Sequence, residues 1–262
     1  MIATSYFAKR LERIGPDDAA STFATLPAHP VSILPLGEGW LVAAHGAPFT
    51  SGPEFTKTQM FLVLDAAGAV TDAIPAPEAL FLNGMSALAD GTILVADSIT
   101  GTIWRLDPSA RTITPWFRAE FLAQPPDMEG FQPGANGLKQ AGGHLYVSNS
   151  ARGAIGRIGI GADGAPIGQL EPVVETGGVD DFWIDPDGAI VFATHGDTLG
   201  KLAPEGARSE LLAAGCDACT AVAPRTGPDG PERIVLTTGG LLEAKGAPAR
   251  ILALPRTDGG AP

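Results

Sequence analysis

Basic residues are scarce in this chain: 17 Lys and Arg stand against 29 Asp and Glu, a formal charge of −12 over 262 residues. A phosphate backbone would be repelled on average. No Lys/Arg run or basic–aromatic interleaving offers a local exception, so nucleic acid is not an expected partner. Long apolar runs are missing too. Nothing approaches the roughly 18 apolar residues of a membrane span, and residues 1–10 hold no apolar signal-peptide core. The expectation is a cytoplasmic protein with no membrane association. Cysteine is limited to Cys216 and Cys219. A lone CxxC is a redox pair or half a zinc site, yet no second pair, no His-x3-His and no βαβ context accompanies it, which favours two small residues packed in a turn. Neither a GxSxG elbow nor HExxH occurs. The letters of GxGxxG appear from Gly159 to Gly164, but no helical pattern follows and Asp163-Gly164 reads as a hairpin turn, against a dinucleotide site.

Glycine (34) and proline (23) are plentiful, the punctuation of many short strands, and apolar residues at 45% suffice for a core. The organising stretch begins at Asn136-Gly137-Leu138. It passes a Gly142-Gly143 turn into alternating His144-Leu145-Tyr146-Val147-Ser148-Asn149, then a third strand near Ala154–Ile158. The same pattern starts at Asn83-Gly84-Met85, turns at Asp90-Gly91 and continues through Ile93–Asp97 and Ile103–Asp107. It returns at Asp180-Asp181-Phe182, turning at Asp187-Gly188 into Ile190–His195. Weaker copies begin near Pro30 and Thr220. Repeats near 30, 83, 136, 180 and 220, spaced by about 40 to 50 residues, are the signature of propeller blades. The predicted fold is an all-β, single-domain β-propeller over residues 1–262, five-bladed by count. Phe7, Leu11 and Ile14 at helical spacing predict a short amphipathic helix over 5–14. Residues 21–26 are predicted as a strand that completes the last sheet and closes the ring. The Pro/Gly-rich stretch from Phe117 to Gly134 is the longest insertion, a candidate lid or a plain surface loop.

At Phe81-Leu82-Asn83-Gly84-Met85, Val95-Ala96-Asp97-Ser98, Ile103-Trp104-Arg105, Ala135-Asn136-Gly137-Leu138-Lys139, and Asp180-Asp181-Phe182 with Ala193-Thr194-His195, the chain resembles the senescence marker protein, gluconolactonase and luciferin-regenerating enzyme family. The resemblance covers about residues 20 to 255. It implies a six-bladed propeller whose inner strands begin around a divalent cation, commonly calcium, with lactone hydrolysis as the best-known activity. It also implies that Asn136 and Asp180 match cation ligands, and that Asn83 contacts substrate, the cation or its water. The chain departs from that pattern in its first repeat, where His29-Pro30-Val31 replaces a glutamate ligand. Glu38 falls instead at a hairpin position.

Read as residues alone, Asn83, Asn136 and Asp180 start successive inner strands, so their hard oxygen donors converge on one axis; the alternative is that Asn-Gly and Asp-Asp mark turns. His45 and His195 end second strands at the same rim, where an imidazole can move protons. Asn149, Phe81 and Trp183 complete the substrate-binding candidates beside Asn83. The leading reading is a lactonase or esterase-type hydrolase acting on a small molecule, with catalytic Asp180, His195 and His45 and a divalent cation, calcium first, or none. One alternative is a metal-independent isomerase, cyclase or lyase of secondary metabolism using the rim histidines. A non-enzymatic binding propeller is the other. The sequence carries no signal for oligomeric state.

Overall fold

Strands joined by tight turns make up nearly the whole of the computed structural model, which describes residues 1–15, 19–129, 132–212, 215–227, 230–237 and 249–255. Six antiparallel sheets follow one another along the chain. The first holds β1 (Ile2–Ser5), β2 (Arg10–Ile14) and β3 (Ala20–Thr25), and the second β4 (His29–Leu36), β5 (Gly39–His45), β6 (Gln59–Leu64) and β7 (Val70–Pro75). The third holds β8 (Leu82–Ala87), β9 (Ile93–Asp97), β10 (Thr102–Asp107) and β11 (Thr112–Arg118). The fourth holds β12 (Ala135–Ala141), β13 (His144–Asn149), β14 (Ala154–Ile160) and β15 (Pro166–Glu175). The fifth comprises β16 (Phe182–Ile184), β17 (Ile190–Ala193), β18 (Leu199–Leu202) and β19 (Arg208–Leu212), and the sixth β20 (Cys219–Gly227), β21 (Gly230–Thr237) and β22 (Ile251–Pro255).

Among the described residues, five apolar layers bind these sheets in series. The third sheet shows how the sequence makes them. Along the fully buried β9, Ile93 and Val95 pack toward Leu41, Phe61 and Ile74 of the second sheet, while Leu94 and Ala96 pack toward Leu138, Leu145 and Val147 of the fourth. Successive side chains of a strand point to opposite faces, so a continuous apolar run is what a strand sandwiched on both sides requires. Leu11 and Ala24 join the first sheet to Val42 and Leu62; Phe182 and Phe192 join the fifth to Ile155; and Val191 and Leu199 join it to Cys219 and Val222 of the sixth. The fold is an all-β, six-bladed propeller, and β4, β8, β12, β16 and β20 stand side by side as its inner strands.

The count of five is therefore corrected to six, and the additional blade is the one the sequence hid. Residues 10–14 form β2 rather than a helix. Leu11 and Ile14 are both buried although three residues apart, the spacing of a helix face; the β2–β3 ladder shifts between Leu11 and Glu12, where β3 carries the extra residue, Phe23. Phe7 lies in the preceding turn and packs its ring on Tyr6 and Phe49. Residues 20–25 pair with β2 rather than with the last sheet. The first sheet fills the second, third and fourth places of a blade. Its β3 leads into β4 as β7 leads into β8, and β1 lies against β4 as β5 lies against β8.

Inner strands carry a second kind of bulge. The ladder skips between Leu82 and Met85, between Ala135 and Leu138, between Pro30 and Ser32, and between Cys219 and Ala221. Asn83-Gly84 and Asn136-Gly137 thus sit where the strand leaves its partner, not in hairpin turns. The glycines answer to the neighbouring inner strand: a methyl group on Gly84 would collide with the Asn136 carbonyl oxygen, and one on Gly137 with the Asp181 carboxylate. Gly84→Ala is expected to cost about 1–3 kcal/mol by overpacking, read as a lowered urea midpoint with unchanged slope.

Candidate functional site

The first polar residues of consecutive inner strands are Asn83, Asn136, Asp180 and Thr220, and the equivalent place in β4 is Pro30. Asp180 is the buried centre of this arc. Its Oδ1 accepts a hydrogen bond from Asn136 Nδ2 at 2.6 Å, and its Oδ2 accepts one from Thr220 Oγ1. Asn136 Nδ2 also donates to Ser150 Oγ at 2.9 Å. Ser148 Oγ ties the backbones together, accepting from Gly137 N–H at 2.8 Å and donating to the Asp180 carbonyl at 2.6 Å. Asn83 stands on the adjacent strand with Nδ2 donating to Ser98 Oγ at 3.2 Å. Asp181 points elsewhere, pairing with Lys139 at 2.6 Å.

His195 closes the arc from the fifth blade. Its Nε2 is buried 3.4 Å from Asp180 Oδ2 without the alignment of a hydrogen bond, while about a third of the side chain (35%) remains exposed. It holds a left-handed backbone, φ 62°, pinned by its N–H donating to the Cys219 carbonyl at 3.0 Å. A non-glycine residue in that region is uncommon and marks a side chain aimed by its surroundings. Burial pushes the Asp180 carboxyl upward; the His195 ring and then Thr220 draw it down, Asp181's charge raises it and Asn136 lowers it. A carboxyl raised by folding favours the native state when protonated, and that contribution is lost as pH rises through its folded pKa. Asp180→Asn removes this pH-dependent contribution but turns an NH2 toward Asn136 or Thr220, so denaturant midpoints across pH are expected to show a flatter dependence than the wild type's.

The other candidates lie elsewhere. His45 is no rim base. It is fully buried, with Nδ1 accepting from Tyr6 O–H and Nε2–H donating to the Leu82 carbonyl, both at 3.0 Å, while Tyr6 O accepts from Phe49 N–H at 2.9 Å. Burial pushes the imidazole down to about 4, and pushes the Tyr6 phenol up to about 12. Phe81 packs edge-on against His45 and Phe55 inside the same cluster. Asn149 serves the scaffold: its amide donates to the carbonyls of Phe121 and Ala123, and its oxygen accepts from Arg152 N–H. Trp183 packs against the layer between the fifth and sixth sheets and lines a cleft with Asp185, Pro186 and Gly188 at the hairpin end of β16, away from Asp180. Asp97 takes the same strand-end position as His45 and Asn149 and accepts from four backbone N–H groups and from Trp104 Nε1. Glu38 lies at the β4–β5 hairpin. In the long loop only a short 3-10 turn, Glu120–Leu122, forms among the described residues, and residues 130 and 131 lie outside them.

Thr220 was missed as a site residue, and the signal was present: it opens the fifth repeat at the place where the others carry Asn or Asp. The cysteines are more than small residues in a turn. Cys216 and Cys219 are disulfide-bonded with Cα atoms 5.4 Å apart.

A calcium centre needs six to eight oxygen ligands, several of them charged. Here the arc offers one carboxylate, and both of its oxygens face protein N–H or O–H donors rather than a shared space ringed by lone pairs. Among the described residues no group of three or more His, Cys, Asp or Glu converges as metal ligands. These residues do not fit a calcium centre.

Fold and arc together define a propeller with a polar, strand-start site. No family model matches the chain, and no curated protein does. Among solved structures it is similar to a luciferin-regenerating enzyme (TM-score 0.69, 16% identity, 96% of this chain and 85% of that one) and to a gluconolactonase from Xanthomonas campestris (TM-score 0.68, 12% identity, 97% and 82%). It is also similar to virginiamycin B lyase from Staphylococcus aureus (TM-score 0.60, 13% identity, 89% and 72%). These neighbours include the family that the sequence motifs resemble, and at such identities the likeness is one of fold. Among the described residues no helix is long and apolar enough to cross a membrane.

Proposed function

We propose that the protein is a small-molecule enzyme of the hydrolase or lyase type that opens a lactone or ester by proton transfer at His195, without a metal. The observation that carries this reading is the buried Asp180 carboxylate held by Asn136 and Thr220 with the His195 ring against it. With Nε2 buried against Asp180, Nδ1 is the ring nitrogen left to accept a proton from water beside the carbonyl. A carboxylate behind an imidazole fixes its tautomer and stabilises the cation formed on protonation. Asn83, whose amide donates one N–H to Ser98, has its second N–H for orienting the carbonyl at the same strand-start rim, while both N–H groups of Asn136 are committed to Asp180 and Ser150. The resemblance to lactone hydrolases and the fold shared with a gluconolactonase support hydrolysis as the first choice.

Elimination is the second, supported by the fold shared with a lyase. There His195 takes a proton from the carbon adjacent to the one bearing the ester oxygen; the C=C bond forms as the alkyl C–O bond breaks and the carboxylate leaves. A lactone and ester panel separates the two by product mass, because hydrolysis adds one water and elimination from a ring leaves the mass unchanged. Activity is expected to survive exhaustive chelation. Loss of all turnover on chelation, with return on adding calcium, would overturn the metal-free reading.

A further inference from the structure

We propose that the Cys216–Cys219 pair is a redox-controlled positioning element for the His195–Asp180 site. The inference rests on the reading of His195 as the proton acceptor. The loop from Gly215 to Thr220 touches that site at three points. Cys219 O accepts from His195 N–H at 3.0 Å, Cys219 N–H donates to Gly196 O at 3.1 Å, and Cys216 N–H donates to Asp197 O at 3.2 Å. The residue following Cys219 is Thr220, which donates to Asp180 Oδ2. One short loop therefore holds both the backbone of the base and the hydroxyl on its carboxylate.

The loop's shape depends on closure. Asp217 and Ala218, the two residues enclosed by the disulfide, both have left-handed backbones, φ 48° and 62°. Neither residue is glycine, and alanine has no side-chain hydrogen bond to favour that region, so the conformation persists only while the surroundings impose it. Arg250 supplies one restraint, donating to Gly215 O at 2.8 Å and pairing with Asp217. The Sγ–Sγ bond supplies another, and it is the one that spans Asp217 and Ala218 directly. In the reductive step a dithiol reagent or protein attacks one sulfur, the Sγ–Sγ bond breaks, and the dithiol becomes its own disulfide. Two electrons and two protons are left on Cys216 and Cys219 as thiols. Both cysteines are buried, so exchange proceeds through opening of the loop at exposed Gly215. Release lets Asp217 and Ala218 return to ordinary backbone regions, which moves Cys219 O and Thr220 away from His195 and Asp180.

The test compares the full chain after glutathione disulfide and after dithiothreitol, with the thiol state verified by alkylation and mass. Two readouts are taken: steady-state kinetics on the ester that the panel identifies, and the imidazole nitrogen resonances of His195, assigned by their absence in His195→Asn. The expected result is a kcat lower by about tenfold to a hundredfold in the reduced form, as for a slightly misplaced catalytic group, with KM within about twofold. A shift of the His195 resonances without substrate accompanies it, and reoxidation reverses both. The double variant Cys216→Ser/Cys219→Ser is expected at the reduced level and indifferent to dithiothreitol. Identical His195 resonances in oxidised and reduced protein, or two alkylated thiols persisting after glutathione disulfide, would overturn the proposal. The resonance comparison needs no turnover. Failure of the proton-transfer reading shows separately, as wild-type turnover in His195→Asn.

Discussion

His195→Asn is expected to lower kcat/KM by about a hundredfold to ten-thousandfold, the usual contribution of a positioned general base, while the protein remains folded. Asparagine keeps a polar side chain beside Asp180 but cannot cycle a proton, so the loss should fall on kcat more than on KM. Thr220→Val tests the support behind the base. Losing its hydrogen bond to Asp180 leaves the carboxylate with Asn136 and His195, and a smaller fall in kcat is expected, with the pH profile displaced. Steady-state kinetics across pH on the best lactone or ester of the panel checks both. Full activity in His195→Asn would remove the reaction proposed here and return weight to a binding propeller.

The largest stability effect is expected in acid, and it comes from His45 rather than from the site. Burial is the main cause of its depression to about 4; the Leu82 carbonyl opposes it, His29 adds to it, and Asp97 opposes it. In the unfolded chain an imidazole takes up its proton near 6.5, so below that value the unfolded state binds a proton that the folded state refuses. Stability contributed by the neutral ring is present above the unfolded pKa and lost as pH falls toward the folded one. At about 1.36 kcal/mol for each unit of difference, the window from about 6.5 to 4 removes roughly 3 kcal/mol. Urea unfolding at intervals through that window should show the decline. His45→Gln should be weaker at neutral pH, through loss of the Tyr6 and Leu82 hydrogen bonds, but with a much flatter decline. An equally steep decline in the variant would assign the acid sensitivity to other groups.

Asn83, Asn136 and Asp180 were legible because each opens a repeat, and repeats superpose in space: equivalent positions of parallel inner strands must face one axis. Thr220 was legible by the same argument but lay in a weaker copy. His45 and His195 looked alike in sequence, each ending a second strand. Burial separates them, since His45 is closed over by Tyr6, Phe55 and Phe81 while His195 stands against Asp180 with part of its ring exposed.

By itself the sequence determined the all-β class, five of the six blades and the convergence of polar residues at their inner strand starts, because these follow from alternation, turn chemistry and period, which are local. Only the tertiary structure decided the sixth blade, where Leu11 and Ile14 stand at a helical interval yet are buried from a strand, and the pairing of residues 20–25 with β2. It also decided which histidine meets Asp180, and that Asn149 and Asp97 hold loops rather than ligands. Those outcomes depend on which distant groups desolvate and hydrogen-bond one another, and repeat position alone does not encode that.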